Sequence, residues 1–164
     1  MRHAILIALL SIVASVSVTP AAEAAAFSVI FEHYEAIRQA LIEDSTDGVA
    51  DHATAIAATA GDLERDFDVA AAQIDADDAD AVRGWLSDIE ARAGAVARAG
   101  DLEATREAVA ELTKPLVRWH ELVVGGKPVV AYCPMVKKAW LQPDEPIGNP
   151  YAPSMLRCGE VVQR

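Results

Sequence analysis

The 164-residue chain has few cysteines and few basic residues. It contains only two cysteines, and 25 Asp and Glu residues outnumber 14 Lys and Arg residues, for a formal net charge of −11 at pH 7. Nucleic acids and anionic lipid surfaces are themselves negative, so a protein this acidic is repelled by both. We therefore expect no nucleic-acid partner, whereas metal cations are compatible with the charge.

The short motifs of the commonest enzyme sites are also missing. The sequence contains no nucleophile elbow, no zinc-protease helix motif, no phosphate-binding glycine loop and no CxxCH haem attachment. The acidic run at residues 75–80 lacks the central glycine and the terminal glutamate of a calcium-binding loop. Because no residues suggest a catalytic constellation, the protein is not expected to be an enzyme.

Only one long apolar run is present, and it lies at the N-terminus. Arg2 and His3 precede an apolar stretch at residues 4–18, and the sequence AEA at 22–24 has the small-x-small pattern of a signal-peptidase site. The run is short for a transmembrane helix. Residues 1–24 are therefore predicted to be a signal peptide. We expect the mature protein to be periplasmic or secreted, with no membrane span after cleavage.

Residues 25–124 have the spacing of apolar residues that is typical of amphipathic helices. Four stretches carry apolar side chains at three- and four-residue steps, and short polar breaks separate them. The stripes contain Phe27, Ile30, Tyr34, Ile37 and Leu41; Val49, Ile56, Ala60 and Leu63; Val82, Leu86, Ile89 and Val96; and Ala108, Val109, Leu112 and Leu116. This pattern predicts an antiparallel four-helix bundle whose last helix is kinked or ended by Pro115.

Residues 125–164 differ in composition from the helical part. They hold both cysteines, two of the three methionines and six of the eight prolines. We predict a mostly irregular, proline-rich cap that packs on the bundle. Two Val-rich runs on either side of residues 125–128 could form a small hairpin within it, or they could be the end of the last helix followed by an extended arm. The fold class predicted for the whole domain is all-α.

The sulfur atoms of the cap suggest a site for a soft metal. Cys133 and Met135 lie two residues apart, and Met155 and Cys158 lie three apart near the C-terminus. Thiolate and thioether ligands select Cu(I) or Ag(I) over hard cations. If the chain folds back between the two pairs, the four sulfurs could converge on one ion, with His120 as an accessory ligand.

Two further histidines, His33 and His52, lie in the predicted helices. Neither has a second His, Cys or Glu at a recognisable ligand spacing. A single histidine on a helix is more often a surface or core residue than a ligand, so neither is predicted to bind a metal.

A disulfide is the simpler interpretation of the two cysteines. In an oxidising compartment, a pair of cysteines in one small domain usually forms a structural bridge. A bridge between Cys133 and Cys158 would close the loop of the cap and stabilise the domain by roughly 3 kcal/mol on loop-entropy grounds. The spacing alone leaves both alternatives open, since oxidation would remove both thiolates from a metal site.

The cap also carries an ordered series of short motifs. These are YCPM at residues 132–135, WL at 140–141, IGNPY at 147–151 and MLRCGEV at 155–161. The series resembles the C-terminal signature of a bacterial family of exported domains of unknown function, CPM…WL…NPY…MLxCGxV. Domains of that family also form the C-terminal module of periplasmic adaptor proteins in copper and silver efflux pumps.

The resemblance implies a periplasmic helical domain connected with copper or related soft metals. It marks the four sulfur-bearing residues of the cap as candidate metal ligands, and Asn149, Pro150 and Tyr151 as a structural turn. One functional hypothesis is therefore a protein that binds or handles Cu(I) or Ag(I) through these sulfurs. The alternative is a disulfide-stabilised interaction module without a metal, which docks a protein partner such as a periplasmic efflux adaptor.

Overall fold

Four helices form the first part of the domain. The computed structural model describes residues 25–164, so the predicted signal peptide lies outside the described residues. The helices are α1 (Ala26–Ile42), α2 (Val49–Arg65), α3 (Ala79–Ala97) and α4 (Leu102–Leu122). Each packs on the next along the chain, and their apolar stripes meet in a common core. Within this described part, none of the helices combines the length and apolar character that crossing a membrane would require.

Helix α4 has a capped start and a proline in its interior. Asp101 caps the helix, because its Oδ1 accepts a hydrogen bond of 2.8 Å from the Ala104 backbone N–H. Pro115 lies inside α4, which runs on past it, so the prediction that this proline could end the helix is wrong. Pro115 has no N–H to donate to the Glu111 carbonyl oxygen. Arg92 of α3 donates to that oxygen instead, at 3.4 Å, and to the Glu111 carboxylate at 2.9 Å.

The cap contains a three-stranded antiparallel sheet, so the prediction of an all-α domain with a mostly irregular cap is wrong. The strands are β1 (Val129–Cys133), β2 (Lys138–Gln142) and β3 (Glu160–Gln163). Strand β1 is central, with β2 and β3 on its two sides. Ala131 of β1 pairs with both Trp140 of β2 and Val161 of β3. The domain is therefore mixed α/β, with the helices preceding the sheet.

Burial of consecutive residues explains why the sequence pattern did not reveal these strands. A strand with one solvent-exposed face alternates apolar and polar residues, and that alternation is the signal a sequence offers. In β1 every residue except Tyr132 is buried, and in β2 the last three residues are buried in succession. Such short runs lack the two-residue period and cannot be distinguished by pattern from a packed irregular segment.

The hairpin is formed by β1 and β2, later in the chain than predicted. Residues 125–128 do not form its turn, because they connect α4 to β1. The turn is at residues 134–137, between β1 and β2, where the Lys137 N–H donates to the Cys133 carbonyl oxygen at 2.8 Å. Lys137 adopts a left-handed conformation with φ of 55°. This turn places Met135 on the protein surface.

Strand β2 attaches the sheet to the helices. It packs on both α1 and α4. Trp140 and Leu141 are buried there, and the Trp140 ring meets the Tyr151 ring edge-on with a centroid distance of 6.2 Å. The Trp140 Nε1–H also donates to Gln142 Oε1 at 2.8 Å. The helices and the cap consequently share one hydrophobic core.

Gly159 allows the chain to enter β3 beside Trp140. Its φ is +141°, in the region that favours glycine, and a Cβ at this position would lie 2.7 Å from Trp140 Cη2. The same Cβ would lie 3.2 Å from the Tyr132 carbonyl oxygen. Neither a buried indole nor a strand backbone can move easily to make room. Glycine is therefore required here for β3 to pair with β1.

Substitution of Gly159 should destabilise the domain. We expect Gly159→Ala to lower the free energy of unfolding by about 2 to 4 kcal/mol, from backbone strain and overpacking against Trp140. The matched control is Gly84→Ala in α3, an exposed position where a Cβ meets nothing within 4 Å. That variant should be about 0.5 to 1 kcal/mol more stable than the wild type. Urea unfolding of the three proteins measures both effects, and equal stabilities would contradict the role assigned to Gly159.

Candidate functional site

The two cysteines of the cap form a disulfide. Cys133, the last residue of β1, is bonded to Cys158, which precedes β3, with an S–S distance of 2.10 Å and a Cα–Cα distance of 5.6 Å. Cys133 is fully buried and Cys158 is half-buried. The bridge joins the β1–β2 turn to the segment that leads into β3. Of the two alternatives left open by the sequence, the oxidised pair is present in the structure.

The methionines next to the cysteines lie in two turns that the disulfide joins. Met135 lies in the β1–β2 turn and is 71% exposed. Met155 is half-buried at the end of a short 3-10 helix, and its carbonyl oxygen accepts a hydrogen bond of 2.8 Å from the Cys158 N–H. Both thiol sulfurs are bonded to each other in this oxidised form. Ligation of a soft metal by all four sulfurs therefore applies only to the reduced protein.

His120, the predicted accessory ligand, is buried at the end of α4. Its Nε2 lies 2.7 Å from the Pro128 carbonyl oxygen, so this nitrogen carries a proton and donates it. Burial lowers the pKa of the imidazole, and the hydrogen bond to Pro128 opposes this effect. The Lys127 ammonium donates to the His120 carbonyl oxygen at 3.0 Å. These partners lie just before β1, and not in the two turns that carry the sulfurs.

The other two helical histidines are brought together by the fold. His33 on α1 and His52 on α2 face each other with their Nδ1 atoms 3.0 Å apart. Their spacing in the sequence does not reveal this contact. Among residues 25–164, however, no three or more His, Cys, Asp or Glu side chains are grouped so that they could hold a metal ion.

Two buried arginines bind the backbone of the turn at residues 147–151. Arg38 of α1 donates to the Gly148 carbonyl oxygen at 2.7 Å, and Arg106 of α4 donates to the Pro150 carbonyl oxygen at 2.9 Å. Both arginines are more than nine-tenths buried. A Cβ at Gly148 would lie 2.7 Å from Arg38 Nη1, so glycine leaves room for the guanidinium group. The turn is thereby attached to the first and the last helix.

Each buried guanidinium group also has a carboxylate partner. Arg38 makes two hydrogen bonds of 2.6 Å to the two carboxylate oxygens of Glu35, one turn earlier on α1. Arg106 donates to the Asp44 carboxylate at 2.6 Å and to the Leu41 carbonyl oxygen at 2.9 Å. A buried charge without a partner would be strongly destabilising. These contacts allow positive charge to reach the backbone of the turn.

Asn149 and Tyr151 organise the same turn from within. The Asn149 side-chain oxygen accepts a hydrogen bond of 2.9 Å from the Tyr151 N–H, which is the arrangement of an Asx turn. The Asn149 N–H donates to the Leu156 carbonyl oxygen at 2.9 Å. Asn149, Pro150 and Tyr151 are all buried. Their contacts are those of a structural turn and leave little surface for a ligand.

The Tyr151 hydroxyl reaches a buried set of hydrogen bonds between α1, α4 and β2. It donates to the Ala139 carbonyl oxygen at 3.0 Å and lies 3.3 Å from Thr113 Oγ1. Thr113 donates to the Val109 carbonyl oxygen at 2.8 Å and accepts from the Tyr34 hydroxyl at 2.8 Å. Burial raises the pKa of Tyr151 well above its usual value of 10.0, and it also raises the pKa of Tyr34. Both phenols are therefore kept neutral.

A groove follows α1 along its length. Near the start of the helix, a cavity of about 310 Å³ is lined by Phe27, Phe31, Pro128 and Pro143, together with Ser28, Gly126 and Lys127. Farther along, a cavity of about 380 Å³ is lined by charged residues and by the loop that follows β2, among them Glu35, Arg38, Pro143, Asp144, Glu145 and Arg157. Pro143 lines both cavities. We refer to these two neighbouring cavities, one with an aromatic end and one with charged residues, as the α1 groove.

The charged end of the α1 groove exposes acidic side chains. Asp144 and Glu145 have side chains that are 70% and 62% exposed, and their partner is Arg164, at 3.4 and 3.1 Å. Exposed pairs of this kind contribute little stability and are readily exchanged. Arg38 and Arg157, in contrast, are engaged with backbone carbonyl oxygens of the turn. The exposed charged groups that line this end are therefore Asp144 and Glu145, together with the Arg157 guanidinium.

The sequence contains a signal for the buried arginines, because each lies within an apolar stripe of its helix. Arg38 lies four residues after Tyr34 and three before Leu41, both members of the apolar stripe of α1. Arg106 likewise lies three residues before Val109 on the stripe of α4. An arginine inside an apolar stripe must find buried acceptors when the helix packs. The identity of those acceptors could not be read from the helices alone.

Comparison with known proteins gives no further assignment of the site. No family model, curated protein or solved structure matches the chain.

Removal of the disulfide should destabilise the domain without preventing the helices from forming. We expect the Cys133→Ala/Cys158→Ala double variant to lose about 2 to 4 kcal/mol of unfolding free energy, because its unfolded chain is no longer cross-linked. Urea unfolding with and without a reductant measures this loss. The reductant should destabilise the wild type by a similar amount and leave the double variant unchanged. A double variant as stable as the oxidised wild type would contradict the role given to the bridge.

Alkaline pH should destabilise the protein through Tyr151. The pKa of this phenol is raised in the folded state, so its contribution to stability is complete below pH 10 and declines as the pH rises above 10 toward the folded-state pKa. Tyr151→Phe should lose about 1 kcal/mol near neutral pH, because the hydrogen bond to Ala139 is missing. Its stability should then fall less steeply than that of the wild type above pH 10. Parallel pH profiles of urea unfolding for the two proteins would contradict this assignment.

Proposed function

We propose that this protein is an exported, disulfide-stabilised interaction module that binds a segment of a partner protein in the α1 groove. The observation that carries the proposal is the disulfide between Cys133 and Cys158. It uses both thiols of the cap. It also constrains the cap, whose residues 143–157 contribute to one wall of the groove. The other wall is α1, which belongs to the core. A groove between two fixed walls suits binding, because little ordering is required of it.

The chemistry of the groove favours a basic segment with apolar side chains. Its aromatic end offers the half-buried Phe31 ring beside Pro128, which suits an apolar or proline-containing segment. Its charged end exposes Asp144 and Glu145, and the net charge of −11 adds a general attraction for positive groups. The occupant we propose is therefore an extended stretch of chain with apolar residues at one end and Lys or Arg at the other.

The predicted export and the motifs of the cap support a partner in the same compartment. The predicted signal peptide at residues 1–24 would direct the protein out of the cytoplasm. The motif series of the cap resembles that of a family whose domains also occur in periplasmic efflux adaptors. A periplasmic protein of that kind, with a basic and apolar segment, is the partner class we propose.

Two synthetic peptides of equal length test this function. One combines Leu and Pro with Arg, and the other has Glu in place of every Arg. We expect only the Arg peptide to bind, as measured by calorimetry, and its NMR shift changes to follow α1 and the loop after β2. The Asp144→Asn/Glu145→Gln variant should bind it about fivefold more weakly, since two exposed ion pairs are lost.

A matched variant separates the groove from general charge attraction. Asp80→Asn/Glu90→Gln removes the same charge from exposed positions on α3, and it should bind the Arg peptide as the wild type does. Equal weakening in both variants would contradict the proposal, as would shift changes spread over α3. The double cysteine variant should bind more weakly than the oxidised wild type, because its groove wall is less fixed.

A second candidate function, handling of Cu(I) or Ag(I), is favoured by one feature of the cap. The 5.6 Å between the Cα atoms of Cys133 and Cys158 keeps two thiols and the turns of Met135 and Met155 in one corner of the domain. Soft-metal binding would then be confined to the reduced state. Native mass spectra of the anaerobically reduced protein with Cu(I) should show one metal ion, lost in Met135→Leu. Absence of uptake by the reduced wild type would exclude this second function.

A further inference from the structure

A pair of histidines lies between α1 and α2, apart from the α1 groove and the disulfide. The Nδ1 atoms of His33 and His52 are 3.0 Å apart, and their ring centroids are 5.3 Å apart. Both side chains are half-buried. The His52 ring also lies over Gly48, with its Cδ2 3.7 Å from the place a Cβ would occupy. The fold therefore holds two imidazoles in contact on neighbouring helices.

The short contact requires one of the two Nδ1 atoms to carry a proton and the other to carry a lone pair. A neutral imidazole carries one N–H and one lone pair, so one Nδ1 donates and the other accepts. One lone pair therefore already points into the space between the rings. The second becomes available when the donating ring changes tautomer and carries its proton on Nε2 instead. Both Nδ1 atoms can then act as ligands without a net change in the charge of the pair.

We propose that His33 and His52 form a two-histidine binding site for a divalent late transition-metal ion. Imidazole nitrogens bind such ions at about 2.0 to 2.1 Å. With the two Nδ1 atoms 3.0 Å apart, an ion at that distance from both has an N–metal–N angle of roughly 90 to 97°. Small rotations of the two rings, whose χ2 angles are soft, would direct both lone pairs at one point.

This angle also indicates which ion the pair prefers. It matches two adjacent positions of a square-planar or tetragonal ion and is smaller than the tetrahedral angle of zinc sites. Cu²⁺ has that geometry and is the strongest binder of its row for nitrogen ligands. In residues 25–164 no third His, Cys, Asp or Glu joins the pair. Water, or a donor from another molecule, would therefore fill the remaining positions, and the bound ion would be exchangeable.

Titration of the full chain with Cu²⁺ alone tests the site. All proteins carry His3→Gln, so that His33, His52 and the buried His120 are the only histidines present. We expect one Cu²⁺ per chain with an electron paramagnetic resonance spectrum of two nitrogen ligands. His33→Gln and His52→Gln should each weaken binding about tenfold or more. Asp51→Asn, an exposed neighbour of His52, serves as the control and should bind as the parent protein does.

A second measurement covers the case in which a histidine variant does not fold. In the parent protein, substoichiometric Cu²⁺ should broaden the ring NMR signals of His33 and His52 before those of His120. Equal affinities in the parent and both folded histidine variants would overturn the proposal, as would broadening that begins at surface carboxylates. The result is independent of peptide binding in the α1 groove, because neither histidine lines that groove.

Discussion

The arrangement of the cap depends on hydrogen bonds to the backbone of residues 147–151, which is buried in the folded protein. A turn has carbonyl oxygens that no helix or strand uses, and leaving them buried without donors would cost about 1 to 3 kcal/mol each. Arg38 and Arg106 supply the donors from opposite ends of the helical part of the chain. Each is paired with a carboxylate, so the buried positive charge is balanced. The helices thereby determine where the cap packs.

The rest of the cap follows from the position of this turn. Tyr151 extends from it to Ala139 and meets the ring of Trp140, which fixes β2 against α1 and α4. Trp140 in turn leaves space only for a glycine at position 159, where the chain enters β3. The disulfide then joins Cys133, at the end of β1, to Cys158, next to Gly159. The α1 groove is a consequence, since the loop between β2 and the turn forms its wall.

The functional residues differ in how far the sequence could identify them. Cys133 and Cys158 were identifiable because a domain with two cysteines offers only one internal pairing. The choice between a disulfide and metal ligation depends on whether the two thiols are oxidised, which their spacing in the sequence does not determine. The contact of His33 with His52 could not be predicted from spacing either. His33 lies in the middle of α1 and His52 in the first turn of α2. The two residues are therefore at different distances from the loop that connects the helices, and their positions in the sequence do not indicate that they meet.

The sequence by itself determined the four helices, because their three- and four-residue apolar spacing, the Asp101 cap and the polar breaks are local signals. Only the tertiary structure decided that the cap contains a sheet. Its strands are short, and burial of consecutive residues removes the alternation that would mark them. Only the tertiary structure, likewise, decided which carbonyl oxygens the buried arginines reach and which histidines meet. Those contacts join residues far apart in the chain, and their geometry depends on how all the elements pack together.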